Sequence, residues 1–248
     1  MATHYLWGDE SHPTKFSSLE FSKHFFIPIL LKYALHSSKT RAINKTVLDV
    51  GCGTGFFLIG FSKLGYKVTG IEIDEVRTKL AKNYCKKYGS DARIITSDAK
   101  KLKFRDESFD IVFSHGTIEH FPETEQAVGE TYRVLKEDGV AMISVPNRIT
   151  FFVISKVIQK CIDKVFKTNF WNIGYEQSFA PWRFRTMLES KGFEVLGVRF
   201  TEMTTGSRFP IISKTIRILD KPLVWAGVGG HFMYWFVRKA PKQEAILK

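Results

Sequence analysis

Short apolar runs alternate with helical patterns through the first part of the chain. Residues 46–50 read as a buried strand that runs into a cluster of glycines, and residues 55–64 as the helix that follows. Residues 68–73 form a second buried strand and 75–88 a charged helix. Further strands fall at 92–96, 109–114 and 141–145, with a helix at 123–135 between the last two. Strands alternating with helices at this spacing predict βαβ units in a doubly wound α/β sheet.

The pattern changes on either side of this region. Residues 16–35 carry apolar and aromatic side chains at helical spacing, among them Phe26, and Pro28 should kink or divide that helix. Residues 151–167 are strongly amphipathic: Ile154, Val157, Ile158, Cys161, Ile162 and Val165 share one face, and Lys156, Lys160, Lys164 and Lys167 the other. An aromatic loop to about 182, a helix at 182–191, a strand at 193–200 and a last strand at 232–238 complete the reading; residues 204–227 are irregular or helical. The expected organisation is an N-terminal helical cap at 1–40, a core at 41–147, a helical insertion at 148–190 and C-terminal strands at 191–248 that complete the sheet.

Composition narrows the class. A 248-residue chain with 44% apolar and 25% charged residues can bury a full core and is not a disordered protein. Three cysteines, with no CxxC pair, exclude a disulfide scaffold and a cysteine-rich zinc module, and fit a reducing, cytoplasmic setting. The start lacks the pattern of a secretory signal, and the longest uncharged stretch, 222–237, is 16 residues, short of the roughly 20 that cross a bilayer as a helix. The net charge of +12 is uneven: residues 1–147 hold 20 basic and 18 acidic side chains, residues 148–248 hold 17 and 7. The C-terminal part therefore either faces an anionic partner or simply presents a soluble basic surface.

The chemistry centres on VLDVGCGTG, residues 47–55, in which Asp49, Gly51, Gly53 and Gly55 fall two residues apart. Glycines there allow a sharp strand-to-helix turn and close approach of a ligand. The GxGxG spacing differs from the GxGxxG of dinucleotide folds, and the Asp49 carboxylate suits a ligand carrying an ammonium group better than a pyrophosphate. Glu72 ends the second strand 21 residues after Gly51, where an acid accepts hydrogen bonds from ribose hydroxyls. Asp74 is the expected cap of the next helix.

These residues, with Ser97-Asp98-Ala99, Ser108-Phe109-Asp110-Ile111-Val112 and Arg133-Val134-Leu135-Lys136-Glu137-Asp138-Gly139, resemble the ordered motifs of class I S-adenosylmethionine-dependent methyltransferases. The nearest flavour is the small-molecule group that includes ubiquinone and menaquinone biosynthesis enzymes. Glu72 replaces the usual Asp, and Asp138-Gly139 the usual double glycine. The resemblance implies a Rossmann-like, mostly parallel seven-stranded sheet, with the insertion after the fifth strand and the N-terminal helices forming a lid. It implies S-adenosyl-L-methionine as cofactor and S-adenosyl-L-homocysteine as product. Asp49, Gly51, Cys52, Gly53 and Gly55 would then hold the methionine part. Glu72 and Ile73 would hold the ribose region, Asp98 and Ala99 the adenine, and Ser114 and His115 would lie near the sulfonium. The substrate side falls to Phe26, Asn147, Tyr175 and Trp182.

Methyl transfer from a sulfonium needs alignment more than a strong catalyst group. If the acceptor arrives protonated, His115 and His120 are the candidate bases, since an unperturbed imidazole titrates near pKa ~6.5. No spacing suggests a metal site; Asp106, Glu107 and Asp110 read as loop and strand start. The aromatic density of the variable segments suggests a flat or apolar small-molecule acceptor, lipid-like if helix 151–167 lies on an anionic membrane rather than closing as a lid. RNA methylation by the basic C-terminal part and a non-catalytic cofactor-binding role are the alternatives; no appended RNA-binding module or flipped-base motif favours nucleic acid. Oligomeric state is open.

Overall fold

The computed structural model describes residues 45–150, 175–201 and 230–240, with isolated helical positions at 32, 164, 218–219 and 221–223. The expected helices at 16–35 and 151–167, most of the loop to residue 174, and most of 204–227 lie outside the described residues, so Phe26 and the boundaries of cap and lid do too. The elements are β1 (Thr46–Val50), α1 (Phe56–Lys63), β2 (Lys67–Glu72), α2 (Glu75–Lys87), β3 (Arg93–Thr96) and β4 (Phe109–His115). After a single 3₁₀ turn at Ile118–His120 come α3 (Thr124–Val134), β5 (Leu135–Pro146), α4 (Pro181–Ser190), β6 (Phe193–Thr201) and β7 (Phe232–Lys239).

One sheet holds seven strands in the order β3-β2-β1-β4-β5-β7-β6. Pairing is parallel from β3 through β5, and β7 inserts antiparallel between β5 and β6. The central strands are apolar on both faces because both faces are covered. On one side Leu58, Ile59 and Phe61 of α1 and Ala81 and Cys85 of α2 meet Val47, Ile111, Phe113, Met142 and Phe236. On the other, Val128 and Val134 of α3 and Phe184 and Leu188 of α4 meet Leu48, Val112, Ile143 and Trp235. Phe61, Phe113, Phe184 and Phe236 are fully buried, each contributing on the order of 1.5–3 kcal/mol.

Strand order reverses between β1 and β4, where Val50 pairs with Ser114 on one side and Ile71 on the other. Ligands of open α/β sheets bind in the crevice that such a reversal opens at the carboxyl ends of the strands. Asp74 caps α2 as the sequence predicts: its carboxylate accepts from the backbone N–H of Val76 at 2.7 Å and of Arg77 at 3.1 Å. The fifth strand starts earlier than its apolar run. Leu135 already pairs with Phe109, residues 136–139 bulge out, and pairing resumes at Val140 with Ile111. Asp138 takes φ 58° in that bulge. A charged bulge reads as loop from sequence, which hid the first rung of β5.

Candidate cofactor site

The bend between β1 and α1 is anchored from below: the N–H groups of Gly51 and Cys52 both donate to the carbonyl of Ile71, at 2.9 and 2.8 Å. Gly51, Gly53 and Gly55 all have positive φ, at 74°, 53° and 85°. Two of them differ in what surrounds them. A Cβ on Gly51 would stand 2.2 Å from the hydroxyl of Thr117, whereas one on Gly53 would meet nothing within 4 Å. Gly51 thus keeps the bend against the β4 loop, and Gly53 keeps its outer side open for a ligand. Thr117, whose hydroxyl donates to the carbonyl of Val50 at 3.0 Å, was not singled out by the sequence; nothing in its local pattern marks it.

Glu72 closes the bend from the neighbouring strand. One of its oxygens accepts from Gly53 N–H at 3.0 Å, and the other from the N–H groups of Ile73 and Asp74 at 2.9 and 3.2 Å. Asp49 lies beneath, 1% exposed, and its Oδ2 is buried with no hydrogen-bond partner. Burial, and then the negative charge of Glu72, pushes the Asp49 pKa up to about 8. Burial and the same two carboxyl groups push the Cys52 thiol up as well, so it serves as a small neutral packing group. A buried carboxyl with an unanswered oxygen, beside a second carboxyl, could hold a cation that also donates hydrogen bonds.

The residues expected on the adenine side lie in the loop after β3. Asp98 does the work of a turn residue with one oxygen, which accepts from Lys100 N–H at 2.8 Å, while its side chain stays 40% exposed. Ala99 is buried beside it, and Ser97 brings a buried hydroxyl with no partner. Ile73 is 66% exposed, an apolar surface at the lip next to Glu72. Ser114 is fully buried and its hydroxyl also lacks a partner.

His115, expected as a poised base, stands among aromatic rings. Its ring packs among Phe57, Tyr234, Phe232 and Phe113, with centroids 5.6, 5.6, 6.0 and 6.4 Å away. Burial lowers its pKa to about 4, so the imidazole is neutral near pH 7 and a weak proton acceptor. Its Nδ1 lies 2.8 Å from the hydroxyl of Ser144, which itself accepts from Gly116 N–H at 3.0 Å. A Ser144 hydroxyl accepting from both would leave its own proton buried without an acceptor. The satisfied arrangement has Ser144 donating to Nδ1, which puts the imidazole proton on Nε2.

The substrate-side residues separate. Tyr175 reaches His120: the imidazole Nδ1 is 3.1 Å from the Tyr175 carbonyl, and Gln177 N–H donates to the Glu119 carbonyl at 2.9 Å. Asn147 is a clasp. Its amide N–H groups donate to the carbonyls of Ile149 and Gly230, both at 3.0 Å, and its oxygen accepts from Ile149 N–H at 2.9 Å. Trp182 stands 61% exposed in a surface groove with Glu125, Arg183, Thr186, Met187 and Ser190, none of which belongs to the cradle. Asp106, Glu107 and Asp110 lie in ion pairs with Arg133, Lys239 and Lys136.

Comparison with known proteins agrees with this chemistry. Residues 48–143 match the methyltransferase domain family. The chain is 36% identical over 120 residues to the chloroplastic 2-methyl-6-phytyl-1,4-hydroquinone methyltransferase of Spinacia oleracea, covering 48% of this chain and 35% of that relative. The match thus spans only about a third of that protein's length. It is 27% identical over 176 residues to the ubiquinone biosynthesis O-methyltransferase of Rickettsia canadensis, covering 69% of this chain and 73% of the relative. Among solved structures, a S-adenosylmethionine-dependent methyltransferase from Methanosarcina mazei shares the fold, with a TM-score of 0.62 at 20% identity over 87% of this chain and 98% of that one. Residues 48–143 are thus similar to a methyltransferase domain, and the sheet around them has the fold of a solved S-adenosylmethionine-dependent methyltransferase.

Proposed function

We propose that this protein transfers a methyl group from S-adenosylmethionine to a small acceptor, a phenolic or quinol-like ring carrying an apolar chain. The observation that carries the cofactor half is the buried, unanswered Oδ2 of Asp49 beneath a glycine bend closed by Glu72. When bound, the cofactor supplies a sulfonium-activated methyl group that passes in line to the acceptor nucleophile and leaves the neutral thioether S-adenosylhomocysteine. The chain's own residues bind and align. Asp49 takes the ammonium group, the open side of Gly53 admits the methionine part, and Glu72 turns from backbone partners to ribose hydroxyls. Asp98 and Ala99 address the adenine. Alignment of this kind can supply on the order of 7–11 kcal/mol in well-oriented systems.

His115, its pKa lowered by burial, is a weak base for the acceptor's proton at pH 7. That proton leaves to solvent, or to His120 at the Tyr175 contact. The acceptor class is supported by the activities for which the relatives from spinach and Rickettsia are named, and by the half-buried rings of Phe57 and Phe232 beside His115. A membrane-held acceptor would suit the basic amphipathic pattern of 151–167, and we place the enzyme in the cytoplasm or on its membrane surfaces on that reading.

The test is a labelled-methyl assay with the full chain against a prenylated hydroquinone, a free catechol, total RNA and a protein extract, with anionic or neutral vesicles present. Transfer to the prenylated ring, enhanced by anionic vesicles, is expected. Transfer to RNA or protein alone would overturn the acceptor reading.

A further inference from the structure

We propose that Glu130 and Arg133 of α3 are positioning residues for the adenine subsite: they hold the loop that carries Asp98 and Ala99 in the register the base requires. This rests on the cofactor reading above.

The loop after β3 has no strand or helix of its own between Thr96 and Phe109. Ordering such a segment on binding would cost about 1–2 kcal/mol per residue for the backbone alone. The structure orders it in advance, from one side of one helix. Glu123, the N-cap residue of α3, and Gln126, Glu130 and Arg133 within it are spaced three, four and three residues apart, so they line one side of the helix. Each of them contacts the loop. Glu123 pairs with the Lys100 ammonium at 3.3 Å, and Gln126 donates to the Lys100 carbonyl at 3.1 Å. Glu130 accepts from Leu102 N–H at 2.7 Å.

Arg133 does most. Its Nε donates to Glu130 at 2.7 Å, and one terminal nitrogen donates to Glu130 at 2.8 Å and to the Leu102 carbonyl at 3.0 Å. The other donates to the Phe104 carbonyl at 2.8 Å and to Asp106 at 2.7 Å. All five guanidinium N–H groups are thereby used, which a lysine could not reproduce. The hydrogen bonds to Arg133 hold the Glu130 and Asp106 carboxyls below their usual range.

Leu102 is read at both its N–H and its carbonyl by this pair, so a slip of one residue would break both contacts. Lys100 passes the constraint on: its carbonyl and ammonium are tied to α3, and its N–H is tied to the Asp98 carboxylate. Ala99 and Leu102 are buried in the same core cluster as Val128 of α3, which fixes the loop from its apolar side as well. Neither Glu130 nor Arg133 needs to touch the cofactor for its loss to move the group that does.

The experiment separates positioning from mere stability by asking whether the base is still read. Affinities of the full chain for S-adenosylhomocysteine and S-inosylhomocysteine, which replaces the exocyclic amine by a carbonyl, are measured calorimetrically. Wild type, Arg133→Ala, Arg133→Lys and Glu130→Gln are compared, with thermal unfolding of each. Wild type should prefer the adenine form. In Arg133→Ala its affinity for that form should fall by about tenfold or more, the scale on which displaced site groups act, and the preference should collapse toward one. Arg133→Lys and Glu130→Gln should fall between. An unchanged preference in the variants, whatever their thermal stability, overturns the proposal; if Arg133→Ala does not fold, the two milder variants decide by the same ratio. A wild type that binds neither nucleoside removes the cofactor reading itself, and this proposal with it.

Discussion

Cofactor binding should release a proton from Asp49. In the ligand-free protein the carboxyl sits at about 8, raised by burial and by Glu72, so near neutral pH it is mostly protonated. An ammonium group can use it only when it is ionised. Apparent affinity for S-adenosylhomocysteine should therefore rise about tenfold per pH unit between roughly pH 5.5 and 7.5 and level off above the Asp49 value, with about one proton released per ligand at pH 6.5. Titrations in buffers of differing ionisation enthalpy read that proton directly. Asp49→Asn should remove the pH dependence. Its affinity should be about 10–100-fold below wild type near pH 8, the worth of one charge-assisted hydrogen bond, and the two curves should converge toward pH 6. Glu72→Gln should shift the wild-type break to lower pH, because the negative charge that helps raise Asp49 is gone. Stability runs the other way. Between the ordinary carboxyl value of 3.8 and about 8 only the folded chain holds this proton, so the ligand-free protein loses stability as pH rises through that window. A flat affinity profile with no proton release would refute the reasoning, since Asp49 would then not be the group that meets the ammonium.

Three other outcomes follow from the same geometry. Gly51→Ala collides with Thr117 at 2.2 Å and should lower both thermal stability and affinity; Gly53→Ala, with open space around it, should cost only about 1–2 kcal/mol of backbone strain yet still weaken S-adenosylhomocysteine binding, and equal stability losses in the two variants would contradict this. Asn147→Ala should destabilise the fold by about 1–3 kcal/mol in chemical denaturation and leave the KM for the acceptor unchanged; a selective rise in that KM would give Asn147 a substrate role. The His115 ring resonances should titrate near pH 4. The unfolded chain takes up that proton near 6.5 and the folded chain refuses it down to about 4, so this group withdraws stability as pH falls across that window; a midpoint between 6 and 7 would return His115 to the candidate bases.

The cradle was legible because its chemistry is local. Glycine spacing, Asp49 ahead of the bend and Glu72 at the next strand end are short-range patterns whose backbone meaning is nearly unique. The sheet was legible for a similar reason, since β1, β2, β4 and the apolar part of β5 are continuous buried runs. What was less legible depended on contacts distant in sequence. His115 read as a base because its aromatic surroundings come from α1 and β7, more than fifty residues away on one side and a hundred on the other. Asn147 read as a ligand because Gly230, which takes its amide, lies 83 residues on. Thr117, Ser144, Glu130 and Arg133 gained their site roles only when strands and helices were brought side by side.

The most direct test is a crystal structure of the full chain with S-adenosylhomocysteine. The amino group should lie within hydrogen-bonding distance of Asp49 Oδ2, and the ribose hydroxyls on the Glu72 carboxylate in place of Gly53 N–H. A ligand bound elsewhere, or bound here with Asp49 still unanswered and Glu72 still on the backbone, would contradict the account.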